Sequence, residues 1–135
     1  MRLVFLLLAD AAEFTDLGTM NIQGAGLHAV LVPSFPTRLD RLVAVCQVEG
    51  QITELGSHVL SLVVVGPDGE LVGERFEQRF VLRRHELIPY RPVGYPEIID
   101  CGGVGFTRPG DYAVHVLVDG SDLGSEPLYV RGRPS

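Results

Sequence analysis

Glycine and proline interrupt this chain at short intervals along most of its length. There are 16 glycines and 9 prolines among 135 residues. Proline inside a helix removes a backbone hydrogen bond and clashes with the preceding turn, and glycine there is also unfavourable. No stretch combines a helical apolar period with a capping residue at its start. What remains is room for strands of about 5–8 residues between turn signals, the mark of a sandwich or barrel. The expected fold is therefore all-β: a single antiparallel β-sandwich over residues 1–135, immunoglobulin-like, with about eight strands and little or no helix.

The expected strands are Leu3–Phe14, Thr19–Val32, Leu39–Glu49, His58–Val65, Glu70–Leu82, Glu97–Phe106, Asp111–Asp119 and Leu123–Val130. Gly66-Pro67-Asp68-Gly69 reads as a tight turn, because proline presets φ and Asp-Gly tolerates the unusual positions. The fifth strand alternates most clearly, with Val72, Phe76, Phe80 and Leu82 on one face and Arg75, Glu77 and Arg79 on the other. Gly24 and Gly26 interrupt the second strand and suggest a bulge or close approach of another backbone. Residues 83–96 hold three prolines and read as one long irregular loop.

Size and charge narrow the function. A chain this long buries roughly two-thirds of its unfolded surface and needs no disulfide or metal to fold. The net charge is −6, and every basic residue is arginine. That balance sets aside a general nucleic-acid or anionic-membrane binder, since both need a basic face. Only Glu74–Arg91 is locally basic, with five arginines against three glutamates. Cys46 and Cys101 lie in apolar runs and read as buried, reduced thiols of a cytoplasmic protein. The run Leu3–Ala9 is too short to span a bilayer and reads as a buried first strand rather than a signal segment.

A resemblance covers most of the chain. LLLADAAEF at the start, GTMNIQGAG, the SFP connection, the GPDGE turn and FTRPGDYAVHVLVDG near the end follow in order. On these segments the chain resembles a family of small, uncharacterised bacterial proteins classed as a domain of unknown function. The resemblance implies a β-rich bacterial domain and brings no activity, cofactor or catalytic residue.

The residues themselves carry no motif with a mechanism. His28, His58, His85 and His115 show no metal-ligand spacing. GxSxG is absent, and in Ser57-His58 neighbouring strand residues point to opposite faces. Cys101 precedes Gly102-Gly103, where free amides would form an anion nest, although a packed thiol at a glycine bulge explains the same residues. Asp10 and Asp100 interrupt apolar runs, a setting that suits either a carboxyl acting as an acid or, more commonly, a strand-edge residue bonded to a backbone amide. Gly24-x-Gly26 lacks the third glycine of a dinucleotide site.

The strongest candidate site is the long loop, with Arg83, Arg84, His85, Tyr90, Arg91 and Tyr95. Arginine and tyrosine are enriched at interface hot spots. The competing reading is a proline-rich cover closing one end of the sandwich over Leu87 and Ile88. Apolar residues on both faces of strands add a second argument. Leu42, Ala44 and Val48 oppose Val43 and Val45, and Leu60, Leu62 and Val64 oppose Val59, Val63 and Val65. Apolar outer faces call for a further partner. The expectation is a non-catalytic interaction or assembly module, without cofactor or metal. Its partner would be a protein or a second copy, with neither nucleic acid nor membrane. The alternatives are a sandwich that binds a carbohydrate or small molecule, and an enzyme with a site not visible in sequence.

Overall fold

The computed structural model describes residues 1–134. In chain order the strands are β1 (Arg2–Ala9), β2 (Ala11–Phe14), β3 (Met20–Gln23), β4 (Ala29–Val32), β5 (Thr37–Arg38) and β6 (Val43–Gly50). They continue as β7 (Gly56–Val65), β8 (Leu71–Leu82), β9 (Val93–Asp100), β10 (Gly105–Phe106), β11 (Gly110–Val118) and β12 (Ser121–Gly132). One 3-10 turn, Ile52–Glu54, precedes β7.

These strands form four sheets. A three-stranded sheet has the order β1-β6-β9, and a five-stranded sheet the order β4-β12-β11-β7-β8. β2 pairs with β3, and β10 with β5. All pairs are antiparallel except β12 with β4, which is parallel. The two larger sheets share one core. Leu6 and Leu8 of β1 and Ala44, Cys46 and Val48 of β6 meet Leu60, Leu62 and Val64 of β7. Val114 and Val116 of β11 and Leu128 and Val130 of β12 join the same cluster. These side chains alternate with outward residues, as the two-residue period requires. Each fully buried Leu or Val contributes roughly 1.5–3 kcal/mol relative to exposure.

Three expected strands divide, each for a local reason. Leu3–Phe14 breaks at Asp10, whose N–H donates to Gln23 O at 3.0 Å as the chain leaves the sheet. Thr19–Val32 breaks at Gly24, which has φ +66°, and a side chain there would collide with the Asp10 carboxylate. β3 then pairs with β2, while β4 crosses to the five-stranded sheet. Glu97–Phe106 breaks at the Cys101–Val104 turn, and β9 starts earlier, at Val93. Pro96 is accommodated because β9 lies at a sheet edge. In β8 the register shifts opposite Leu62 and Val64, where Gly73 takes φ +69° and makes a bulge.

The β2–β3 hairpin resolves the surplus of apolar residues on the first sheet. Ala12, Met20 and Ile22 pack on Ala9, Val43 and Val45 in a second, smaller cluster, with Phe5 and Ile98 alongside. The apolar outer face of β6 is thus covered by the chain itself. Those residues therefore give no argument for self-association. On β7, Ser61 and Val63 are also buried, at 4% and 7% exposure, in a central strand of their sheet.

Candidate functional site

The two ends of the layered body carry different features. One end holds the Gly66–Glu70 turn and Arg108. The Arg108 guanidinium donates to Asp68 Oδ2 at 2.7 Å and Glu70 Oε1 at 2.9 Å. Nearby, the Tyr112 hydroxyl donates to the Arg108 carbonyl at 2.7 Å, and the Tyr112 ring meets Phe106 edge-on at 4.8 Å.

The opposite end carries the loop between β8 and β9. Arg83, Arg84, His85, Tyr90 and Arg91 are all exposed. The tip is apolar: Leu87 is 84% exposed, Tyr90 73% and Ile88 37%. The loop is therefore not a cover over Leu87 and Ile88. It projects, and its shape comes from local bonds. Leu87 and Ile88 N–H both donate to His85 Nδ1, at 3.1 and 3.3 Å, and Arg91 N–H donates to Ile88 O at 3.2 Å. Among the described residues, the arginines in ion pairs are Arg2, Arg108 and Arg131, so the three loop guanidinium groups face outward uncompensated.

Tyr95 does not belong to this group. It lies within β9, and its inward position stacks its ring on Phe80 at 4.2 Å. Its hydroxyl donates to Glu97 Oε2 at 2.6 Å. Burial, and then the Glu97 carboxylate, push the phenol's pKa up. Tyr90 and Tyr95 therefore stand apart, one exposed on the loop and the other stacked on Phe80 within β9.

Beside the loop's base lies a cluster that local sequence patterns do not disclose. His58 Nδ1 is 2.6 Å from Asp119 Oδ2, and Nε2 is 2.5 Å from the Glu54 carbonyl oxygen. Asp119 Oδ1 also accepts Val59 N–H at 2.9 Å. Asp119 sits at φ +51°, a conformation that Asp tolerates better than most residues. Ser57, His58, Arg79, Phe80, Val81 and Asp119 line an open hollow here. The order Ser-His-Asp invites comparison with a hydrolytic triad, but both ring nitrogens are committed elsewhere, so His58 offers no lone pair to Ser57. The Asp119 hydrogen bond, followed by that to Glu54, raises the pKa of His58. The His58 bond in turn lowers the pKa of Asp119. The two partners lie 61 residues apart. The only local hint is the Asp119-Gly120 turn.

The remaining candidates resolve into structural roles. Cys46 and Cys101 are free and fully buried, and burial pushes both thiols up to about 12. They are protonated and unreactive at neutral pH. The Gly102 and Gly103 amides form no nest, because they donate to Asp100 Oδ1 at 2.8 Å and Leu39 O at 2.9 Å. His115 pairs with Asp122 at 2.8 Å, and His28 with the Gly26 carbonyl at 2.9 Å. Among the described residues no three His, Cys, Asp or Glu side chains are grouped to hold a metal. Among the described residues no helix is long and apolar enough to cross a membrane.

Comparison with known proteins agrees with the resemblance read from the sequence. The model of a family of unknown function, DUF6941, matches residues 4–131, and the chain belongs to that family. No curated protein matches. One matched solved structure is a Pseudomonas fluorescens alkylpurine DNA glycosylase, AlkC, bound to DNA containing an abasic site analog. The identity is 19% and the TM-score 0.40, over 76% of this chain and 27% of that one. The present chain thus spans about a quarter of that protein. The expected partner, a protein or second copy to the exclusion of nucleic acid, is not upheld: the protein in that structure is bound to DNA, and net charge, on which the exclusion rested, averages over the whole surface, whereas contact depends on a local patch. At this TM-score the likeness itself assigns no partner.

Proposed function

We propose that this member of the DUF6941 family is a non-catalytic interaction module that docks through its projecting loop. One observation carries the reading: Leu87 and Tyr90 stand at 84% and 73% exposure between Arg83, Arg84 and Arg91. Exposing such side chains forgoes roughly 1.5–3 kcal/mol each that burial supplies. A docked surface recovers that term, and arginine adds directed hydrogen bonds to carboxylates or phosphates. The loop suits a partner with an apolar recess bordered by anionic groups.

We also infer a single immunoglobulin-like sandwich as the scaffold. Three observations support it. The sheets order as β1-β6-β9 and β4-β12-β11-β7-β8, with β4 parallel to the last strand. The two sheets share one core. The Tyr112 hydroxyl, near the start of β11, bonds back to the carbonyl of Arg108, the tyrosine-corner arrangement of such folds. The two unlinked thiols fit a reducing compartment, which supports a cytoplasmic placement.

The test places a photo-crosslinking amino acid at Tyr90 and, as a control, at Leu17, which is 90% exposed on the β2–β3 turn. The expected result is a discrete adduct from position 90 in cells, absent from position 17 and lost when Leu87 is changed to Ser. Nuclease and protease sensitivity then identify the class of partner. Equal labelling from both positions, or none from position 90, overturns the proposal.

A further inference from the structure

We propose that His58, as an imidazolium, is a proton-operated clasp on the end of the body that bears the loop. It joins the start of β7, the 3-10 turn and the β11–β12 turn, and releases one of them when the proton leaves. Both ring nitrogens face oxygen atoms. Nδ1 meets a carboxylate oxygen and Nε2 meets a carbonyl oxygen. Both are acceptors, and a neutral imidazole has only one N–H to offer. Only the imidazolium donates to both. With a neutral ring, one contact sets a lone pair against a lone pair and opens.

The groups around the ring favour keeping the proton there. Asp119 approaches from the β11–β12 turn, and its other oxygen is held by Val59 N–H. Glu54 lies on the 3-10 turn, where its carboxylate accepts from the Met1 ammonium at 2.8 Å and Gln51 N–H at 3.0 Å. From β8, Arg79 lines the same hollow and opposes the charge, and the Phe80 ring covers His58 at a centroid distance of 5.5 Å. The His58 side chain is only 15% exposed, so water compensates poorly for a lost partner.

The clasp adjoins the feet of the loop. Phe80 lies three residues before Arg83 and stacks on Tyr95, two residues into β9 from Val93.

The sign follows from the raised affinity of the folded state for the proton. The clasp's stabilisation is full below the ordinary histidine value of 6.5 and disappears as pH rises through the higher folded value.

The experiment uses the full chain labelled with nitrogen-15. Ring-nitrogen spectra of His58 are recorded from pH 5.5 to 9, with amide hydrogen exchange corrected for its intrinsic pH dependence. The expected result is two protonated ring nitrogens at pH 6.5 and a midpoint above that value. Residues 51–55 or residues 119–121, whichever contact the neutral ring gives up, should open about 5–30-fold more often above the midpoint, the effect of losing one or two kcal/mol. His58→Gln should abolish that change. Asp119→Asn, which retains the imidazole, should move the midpoint down and serves if His58→Gln does not fold. A singly protonated ring at pH 6.5, an unmoved midpoint in Asp119→Asn, or protection indifferent to the midpoint overturns the proposal.

Discussion

The two ends of the molecule are closed by different chemistry. At one end Arg108 grips Asp68 and Glu70, and Tyr112 bonds the backbone beneath it. A guanidinium keeps its charge at any physiological pH. At the other end a histidine bridges a carboxylate and a carbonyl beneath an exposed loop. That closure depends on one proton. The difference teaches that a small all-β body can be pinned at one end by a permanent charge and at the other by a group whose charge depends on pH.

The largest expected effect lies in the packing under the arginine end. Phe106 is fully buried against Tyr112. Phe106→Ala should cost about 3–5 kcal/mol in denaturant unfolding. A loss below about 1 kcal/mol would show that this end is not the firmer one. Tyr112→Phe is next. It keeps the ring and removes the bond to the Arg108 carbonyl, so it should cost about 1 kcal/mol.

The pH dependence separates the ends directly. The Tm of the native chain should fall as pH rises from 6.5 through the raised His58 value. His58→Gln should flatten that limb, and Arg108→Met should leave its slope intact. On the acid side, the lowered Asp119 and Glu70 values stabilise the fold above their unfolded values and lose that effect as pH falls through the folded ones. An alkaline slope that persists in His58→Gln would place the proton sensitivity elsewhere.

Arg108→Met should produce a smaller loss, because the arginine and its partners are substantially exposed. Raising salt to about 1 M, where the screening length is near 3 Å, should erase most of that difference. The smallest effect belongs to the loop. Leu87→Ser with Tyr90→Ser should change unfolding stability by no more than about 0.5 kcal/mol, because neither side chain is buried. A larger loss would mean that the tip packs on the body and is not held out for a partner.

Sequence reading succeeds where the cause is local. Alternation in β8 places Phe80 and Leu82 inside and Arg79 outside. The Gly66–Gly69 turn stands where proline and Asp-Gly require it, with Gly69 N–H donating to Gly66 O at 3.0 Å. The loop from Arg83 is recognisable from its prolines and length. Its last residues are not, because Tyr95 has the same composition whether it stacks on Phe80 or faces solvent. Of the six candidate residues, Arg83, Arg84, His85, Tyr90 and Arg91 lie together in the exposed loop, and Tyr95 lies apart from them in β9.

What the sequence by itself determines is the class of structure: glycine and proline spacing excludes long helices, and two-residue alternation supplies strands with one buried face. The tertiary structure alone decides which strands meet. It folds the β2–β3 hairpin over Val43 and Val45, turning an apparent interface into core. It also brings Asp119 to His58 and Arg108 to Asp68, across 61 and 40 residues. Turn and strand preferences act over a few neighbouring residues, whereas these pairings arise only when the register of distant strands has been set by burial of their shared faces.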